Sequence, residues 1–159
     1  MITRLGTHAD TPALTNILNA VISIGGTTAY EDPVSREYFN RFLSSMNPKE
    51  FLHVAESDDG IQGMQWIEQF DPPDLHVGGI ATFARPGTAQ RGIGTVLLEA
   101  TLKTSCDLGY ELLVAKIRAD NTGGLAYYTK MGFVDHSVSQ NEPLKDGTPV
   151  DRIIKHFAL

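Results

Sequence analysis

Cysteine is almost missing from this 159-residue chain: Cys106 stands alone. No internal disulfide and no cysteine-built zinc site can form, which suits a reducing cytoplasm. Long apolar runs are missing as well. None approaches the ~18 residues that a membrane span needs, and Met1-Ile2-Thr3-Arg4 lacks the apolar stretch of a secretory signal. Positive charge is scarce, with 13 Lys and Arg against 19 Asp and Glu, a net charge of -6. A nucleic-acid binder needs a basic face to neutralise phosphates, so that class is excluded. No linker, repeat or low-complexity tract divides the chain. What is present is 42% hydrophobic residues, enough to bury a core and to exclude disorder of the whole. The expectation is a single cytoplasmic domain over residues 1–159.

Ile2 to Leu5 alternates as a strand does. Asp10 reads as a helix N-cap, with Pro12 in the first turn and Leu14, Ile17, Leu18, Val21 and Ile22 as one apolar stripe ended by Gly25-Gly26. A second helix starts at Ser35 and buries Tyr38, Phe39 and Phe42. Phe51–Glu56 and Ile61–Phe70 flank the turn Asp58-Asp59-Gly60 as a hairpin, and Leu75–Ala84 is a third strand of that run. A helix follows from about Gly92 to Leu108, with Ile93, Val96, Leu97, Ala100 and Thr104 facing inward and Gly109 ending it. Leu112–Ala115 is a buried strand, Asn121–Met131 a helix, and Val150–Phe157 a final strand. Strands and helices interleaved in this way predict an α/β (α+β) domain with a mixed sheet.

Gln90-Arg91-Gly92-Ile93-Gly94-Thr95 joins a strand to a helix. Glycines there let the backbone bend tightly and approach a ligand, while the first turn of the helix presents unpaired N–H groups and a positive dipole end. Such a turn suits a phosphate or pyrophosphate, and Arg85 and Arg91 add charge at its rim. A P-loop would need a Lys that is missing, and a dinucleotide fingerprint a third Gly where Leu97 stands. A tight helix start with no ligand remains the plain alternative.

The segment Asn121-Thr-Gly-Gly-Leu-Ala-Tyr-Tyr-Thr-Lys-Met-Gly-Phe133 adds a second element. At ~100° per residue, Asn121, Leu125 and Tyr128 share one stripe and Tyr127 points off it. Strand, Gly-x-Gly turn, helix, strand, then Asn, Tyr and Gly-Phe in that order resemble the GNAT superfamily of N-acetyltransferases. The match runs from Ile80 to Phe133, a third of the chain. The resemblance implies a mixed, splayed sheet flanked by helices, binding acetyl-CoA without a metal. It implies pyrophosphate on the amides of Gln90, Arg91, Gly92, Ile93, Gly94 and Thr95, and pantetheine along Thr82, Phe83 and Ala84. It further implies Asn121 on the cofactor arm and Tyr128 as catalytic acid facing the thioester sulfur. The acceptor is then a small-molecule amine, with no nucleic acid or membrane as partner and a homodimer as a candidate assembly.

Two departures stand out. Ala89 occupies the place of the family's Gln or Arg, a small loss where backbone N–H groups do most of the binding. Gly78-Gly79 stands where many members carry a Glu general base. An alkyl ammonium is about a thousandth neutral at pH 7, so proton removal is worth roughly 4 kcal/mol. Glu31, Asp32, Glu68, Asp71 and His76 are the candidates, acting jointly or through water. Gly25–Pro33, Trp66–Asp74 and the tail after Val134 are expected to shape the acceptor pocket. Thr27-Thr28-Ala29-Tyr30-Glu31 before Pro33 resembles the phosphinothricin acetyltransferase branch. The missing strand carboxylate keeps an acyl-CoA-binding sensor as the alternative, and Tyr128 argues against it.

Overall fold

A computed structural model describes residues 1–70, 72–88 and 91–159. Its elements run β1 (Ile2–Leu5), α1 (Thr11–Ile24), α2 (Arg36–Ser45), β2 (Phe51–Ser57), β3 (Gly60–Glu68), β4 (Val77–Ala84), α3 (Ile93–Asp107), β5 (Leu112–Arg118), α4 (Thr122–Lys130), β6 (Val134–Pro143) and β7 (Pro149–Ala158). The seven strands form one mixed sheet in the order β1-β2-β3-β4-β5-β7-β6, so the expected α/β class holds. Among the described residues only the β4–β5 pair is parallel.

Strand alternation decides what each face buries. Leu52, Val54, Met64, Trp66 and Phe83 point to one face and meet Leu14, Leu18 and Phe39 of α1 and α2. Ile67, Ile80, Leu113 and Ala115 point to the other, under Leu98 of α3 and Tyr128 of α4. Because β3 is covered on both faces, every residue from Ile61 to Ile67 is buried. The hairpin at Asp58-Asp59-Gly60 forms as expected, with Gly60 at a φ of 89°.

Three sequence expectations change. Asp10 holds the N-cap position of α1 as expected, but its carboxylate makes no capping bond to that helix. It accepts from Arg4 Nη1 and Nη2, each at 2.9 Å, and from the Thr7 N–H at 2.8 Å, pinning β1 to the helix start. The inward stripe of α3 is Ile93, Leu97, Leu98, Thr101 and Ser105. Small hydroxyl residues fit where the helix comes close to β2: Thr101 Oγ1 lies 3.1 Å from His53 Nδ1. Finally, β6 was not foreseen as a strand. It is a mostly exposed edge with no apolar alternation, paired to β7 through two register shifts and a positive φ of 54° at Asn141.

β4 and β5 share just three register pairs, Val77 with Leu112, Gly78 with Leu113 and Gly79 with Val114. Beyond these both strands continue, β4 to Ala84 and β5 to Arg118, without pairing. This is the splay expected of the sheet. Among the described residues no helix is long and apolar enough to cross a membrane.

Asp10 yields a stability prediction. Its hydrogen bonds from Arg4 hold its carboxyl below the usual range against the cost of burial. A depressed folded pKa contributes stability that is present above the unfolded value near ~3.9 and fades as pH falls through the folded value. Urea unfolding should therefore show wild type exceeding Asp10→Asn at pH 6 and the gap shrinking below about pH 4. A gap that stays constant with pH would rule out this ion pair as its source.

Candidate active site

Where β4 and β5 part, a cavity of about 1040 Å³ opens between the two faces of the sheet. Gly92, Ile93, Gly94, Thr95, Tyr127 and Tyr128 line its α3–α4 side, and Thr27, Thr28, Tyr30, Glu68, Lys116 and Arg118 its α1–α2 side. Thr82, Phe83 and Ala84 of β4 lie along its length. Their backbone pairs with Gln65, Met64 and Gly63 on the β3 edge and with no strand on the edge toward β5.

The two turn glycines are needed for different reasons. Gly92 precedes α3 at a φ of 71° with nothing near its absent Cβ, so conformation alone requires glycine there. At Gly94 a Cβ would fall 2.4 Å from Tyr127 Cε2. The Tyr127 hydroxyl donates to the Gly94 carbonyl at 2.8 Å and accepts from Gln65 Nε2 at 3.3 Å. The second glycine thus admits a tyrosine under the turn. Ile93 and Gly94 hold first-turn N–H groups, which have no acceptor within a helix. Two other expected amide donors are engaged inside the protein: the Arg91 N–H donates to Thr88 and the Thr95 N–H to Gly92. Gln90 and Ala89 lie outside the described residues.

Tyr128 is 7% exposed, and its hydroxyl lies 2.8 Å from Thr82 Oγ1. Burial pushes the phenol pKa up, with the Thr82 bond opposing, so it stays protonated. Gln65 Nε2 also donates to Thr82 Oγ1 at 2.8 Å. Asn121 caps α4, its Oδ1 accepting from the Gly124 N–H at 2.9 Å while its Nδ2 donates to the Thr27 carbonyl at 3.0 Å. Asn121, Tyr127 and Tyr128 all reach the cavity, although one helical stripe cannot hold both tyrosines.

The candidate bases separate. Glu31 accepts from the Lys145 N–H and Asp32 pairs with the Lys145 ammonium at 2.8 Å, both exposed and off the cavity wall. His76 sits on the surface 3.7 Å from Glu111. Asp71 lies outside the described residues. Glu68 remains: it lines the cavity, and β3–β4 register sets it directly opposite Gly79. The residue is exposed at the surface while bordering the cavity. Partial burial raises its pKa, aided by the charge of Glu50. The nearby Trp66 indole N–H opposes the rise but forms no hydrogen bond.

Sequence reading missed a charged cluster at the end of the same face. Glu142 of β6 takes the Lys116 ammonium and, at 3.3 Å, Arg152 Nε of β7. The Lys116 bond, with the Ser139 hydroxyl and Arg152, holds its carboxyl at about 2. Arg118 donates from Nε and Nη2 to Asp120 at 2.9 and 2.8 Å and from Nη1 to the Thr28 carbonyl at 3.4 Å. Arg152 Nη1 is buried and has no partner among the described residues, a condition that costs about 1–3 kcal/mol for a polar group. No group of three His, Cys, Asp or Glu able to hold a metal occurs among the described residues.

Comparison with known proteins agrees with this geometry. Residues 17–133 match the model of the Acetyltransferase (GNAT) family. YwnH of Bacillus subtilis (strain 168), which carries a provisional phosphinothricin acetyltransferase name, is 28% identical over 155 residues, covering 95% of this chain and 94% of its own. A ribosomal-protein-alanine N-acetyltransferase from Brucella melitensis shares the fold at a TM-score of 0.91 and 23% identity, with both chains covered in full (100% each). A phosphinothricin acetyltransferase from Sinorhizobium meliloti, solved in complex with AcCoA, superposes at 0.86 and 20% identity over 99% of this chain and 88% of that one.

The two cavity carboxylates should titrate apart. In a carbon-detected NMR titration, Glu68 is expected to protonate above the ordinary glutamate range near ~4.3 and Glu142 well below it. Coincident midpoints would show that burial and the Lys116 contact do not set their charges.

Proposed function

The chain belongs to the GNAT family of acetyltransferases, and we propose that it moves an acetyl group from acetyl-CoA to the primary amine of a small molecule by direct attack in a ternary complex. The observation that carries this reading is the Thr82–Tyr128 contact set inside the parted strands, with the glycine turn on one face and Glu68 on the other. The residues fit the cosubstrate. The left-handed Gly92 backbone has open space beside it, α3 begins there with its positive end, and the β4 edge is free to pair.

Bound acetyl-CoA would supply a thioester carbonyl open to nucleophiles. Amides of Gly92, Ile93 and Gly94 would receive its pyrophosphate, with the side chains of Arg91 and Thr95 beside them and Gln90 as the sixth residue of the turn. Thr82, Phe83 and Ala84 would pair with the pantetheine arm, and Asn121 would contact it by exchanging its bond to Thr27. Glu68 accepts the proton of the attacking amine, directly or through water. It performs from the neighbouring strand the task that Gly79 leaves unfilled, which removes the ground for a sensor without turnover. Glu142, ionised down to about 2, is too weak a base to compete. As the carbon–sulfur bond breaks, the Tyr128 O–H donates to the sulfur. Its raised pKa makes this a hydrogen bond that strengthens with developing charge rather than a complete transfer to a thiolate near ~8.5. The fit of YwnH over nearly its whole length supports an amino-acid-like acceptor. The lone cysteine and acidic charge support one cytoplasmic catalytic unit across residues 1–159.

Steady-state thiol release should separate the two roles. Tyr128→Phe is expected to lower turnover by about ten- to a thousandfold with little change in the KM for acetyl-CoA. Glu68→Gln should lose ~10²–10⁴-fold and flatten the acidic limb of the pH profile. A Glu68→Gln enzyme with wild-type turnover would return the proton to water or to Asp71.

Binding of the cosubstrate is checked separately. Valine cannot easily adopt the φ of 71° at Gly92, so calorimetry should show Gly92→Val binding CoA at least about tenfold more weakly, the loss of one charge-assisted bond. Unchanged affinity would remove the pyrophosphate from this turn.

A further inference from the structure

We propose that Arg152 is the acceptor's anchor: its guanidinium, which lines the cavity, binds a carboxylate carried by the amine substrate. This rests on the acetyltransferase reading above and names the chemistry of its second substrate. Arg152 is 6% exposed and lines the cavity, yet among the described residues Nη1 meets no acceptor. A guanidinium cannot shed its charge, and one that gives only Nε to the protein, to Glu142, calls for a further anion, which the cavity it lines can admit. Its neighbours are already committed. Arg118, opposite Arg152 in the β5–β7 register, spends its donors on Asp120 and Thr28. Lys116 and Arg152 Nε share the single carboxylate of Glu142. Three cations therefore pair with two carboxylates, of which Asp120 is half exposed, while Glu31 acts on Arg118 without a salt bridge.

Position decides which substrate the anion belongs to. Arg118 reaches Thr28, which places this cluster on the α1–α2 face, across the sheet from Gly92 and Gly94. Glu68 lies on β3 and Arg152 on β7, with the parted β4 and β5 between them. The acceptor face thus carries a negative group at one wall and a positive group at the other. An amine that also bears a carboxylate satisfies both.

The test uses the common amino acids, their carboxamides and the corresponding amines lacking the carboxyl group, with wild type, Arg152→Lys and Arg152→Gln. Thiol release gives kcat/KM, and calorimetry in saturating CoA gives affinity. Wild type should favour carboxylate over carboxamide by at least about tenfold, as one charge-assisted contact allows. Arg152→Gln should erase that ratio through KM, and Arg152→Lys, which keeps the charge beside Glu142, should retain part of it. CoA affinity reports that each variant is folded. Equal rates for the acid and its carboxamide, or a ratio that survives in Arg152→Gln, would overturn the proposal. If no amine releases thiol, the acetyltransferase reading fails, and calorimetric discrimination of the acid from its carboxamide still decides the role of Arg152.

Discussion

The site depends on one constraint: two parallel strands that pair for three residues and then part. Parallel neighbours normally continue as an evenly bonded ladder buried between helices. Here β4 and β5 pair only at Val77, Gly78 and Gly79, a tightly packed stretch where a Cβ on Gly78 would sit 2.7 Å from Ile67 Cγ2 and 3.2 Å from Tyr110. Past that tightly packed joint, the backbone of Ala81 to Ala84 is left with a free edge inside the protein. A buried free edge needs partners, and a ligand that lies along it can provide them. The cavity, the turn above it and the acceptor face below it all follow from the parting.

Environment gives the two cavity carboxylates opposite properties. Glu142 lies among Lys116, Ser139 and Arg152, every contact favouring the ionised form. Among the described residues no cation shifts Glu68, so desolvation wins and the neutral form gains. A carboxylate of raised pKa is the better base for an amine, and one of lowered pKa is the better fixed counter-charge. The contrast makes Glu142 a structural anion that positions Arg152.

Much of the frame was legible in the sequence because local chemistry forced it. The Asp58-Asp59-Gly60 turn, the apolar stripe of α1 and the Gly92 helix start each have a short-range cause. The unforeseen parts have long-range causes. β6 has no apolar alternation to read because it is an edge whose sides both meet solvent. Thr101 and Ser105 point inward because α3 lies close over the sheet, a distance that periodicity does not encode. Glu68 could be linked to Gly79 only through register, which sets residues eleven positions apart side by side on one face. Gln65 and Arg152 are polar residues on strands that read as core or tail, and their value arises from what the fold places next to them.

Those polar side chains also join the two halves of the site. The Tyr127 proton is spent on the Gly94 carbonyl, and the two Gln65 amide hydrogens go to Tyr127 and Thr82. One of the two hydroxyls in the Thr82–Tyr128 contact must donate and the other accept. With Thr82 as donor, the Tyr128 proton is left to point into the cavity, where a developing thiolate would meet it. A single hydrogen-bonded chain then runs from the carbonyl beneath the glycine turn to the phenol at the parted strands. The glycine at position 94 is therefore part of how Tyr128 is held, because only a residue without a Cβ leaves room for the tyrosine that starts the chain.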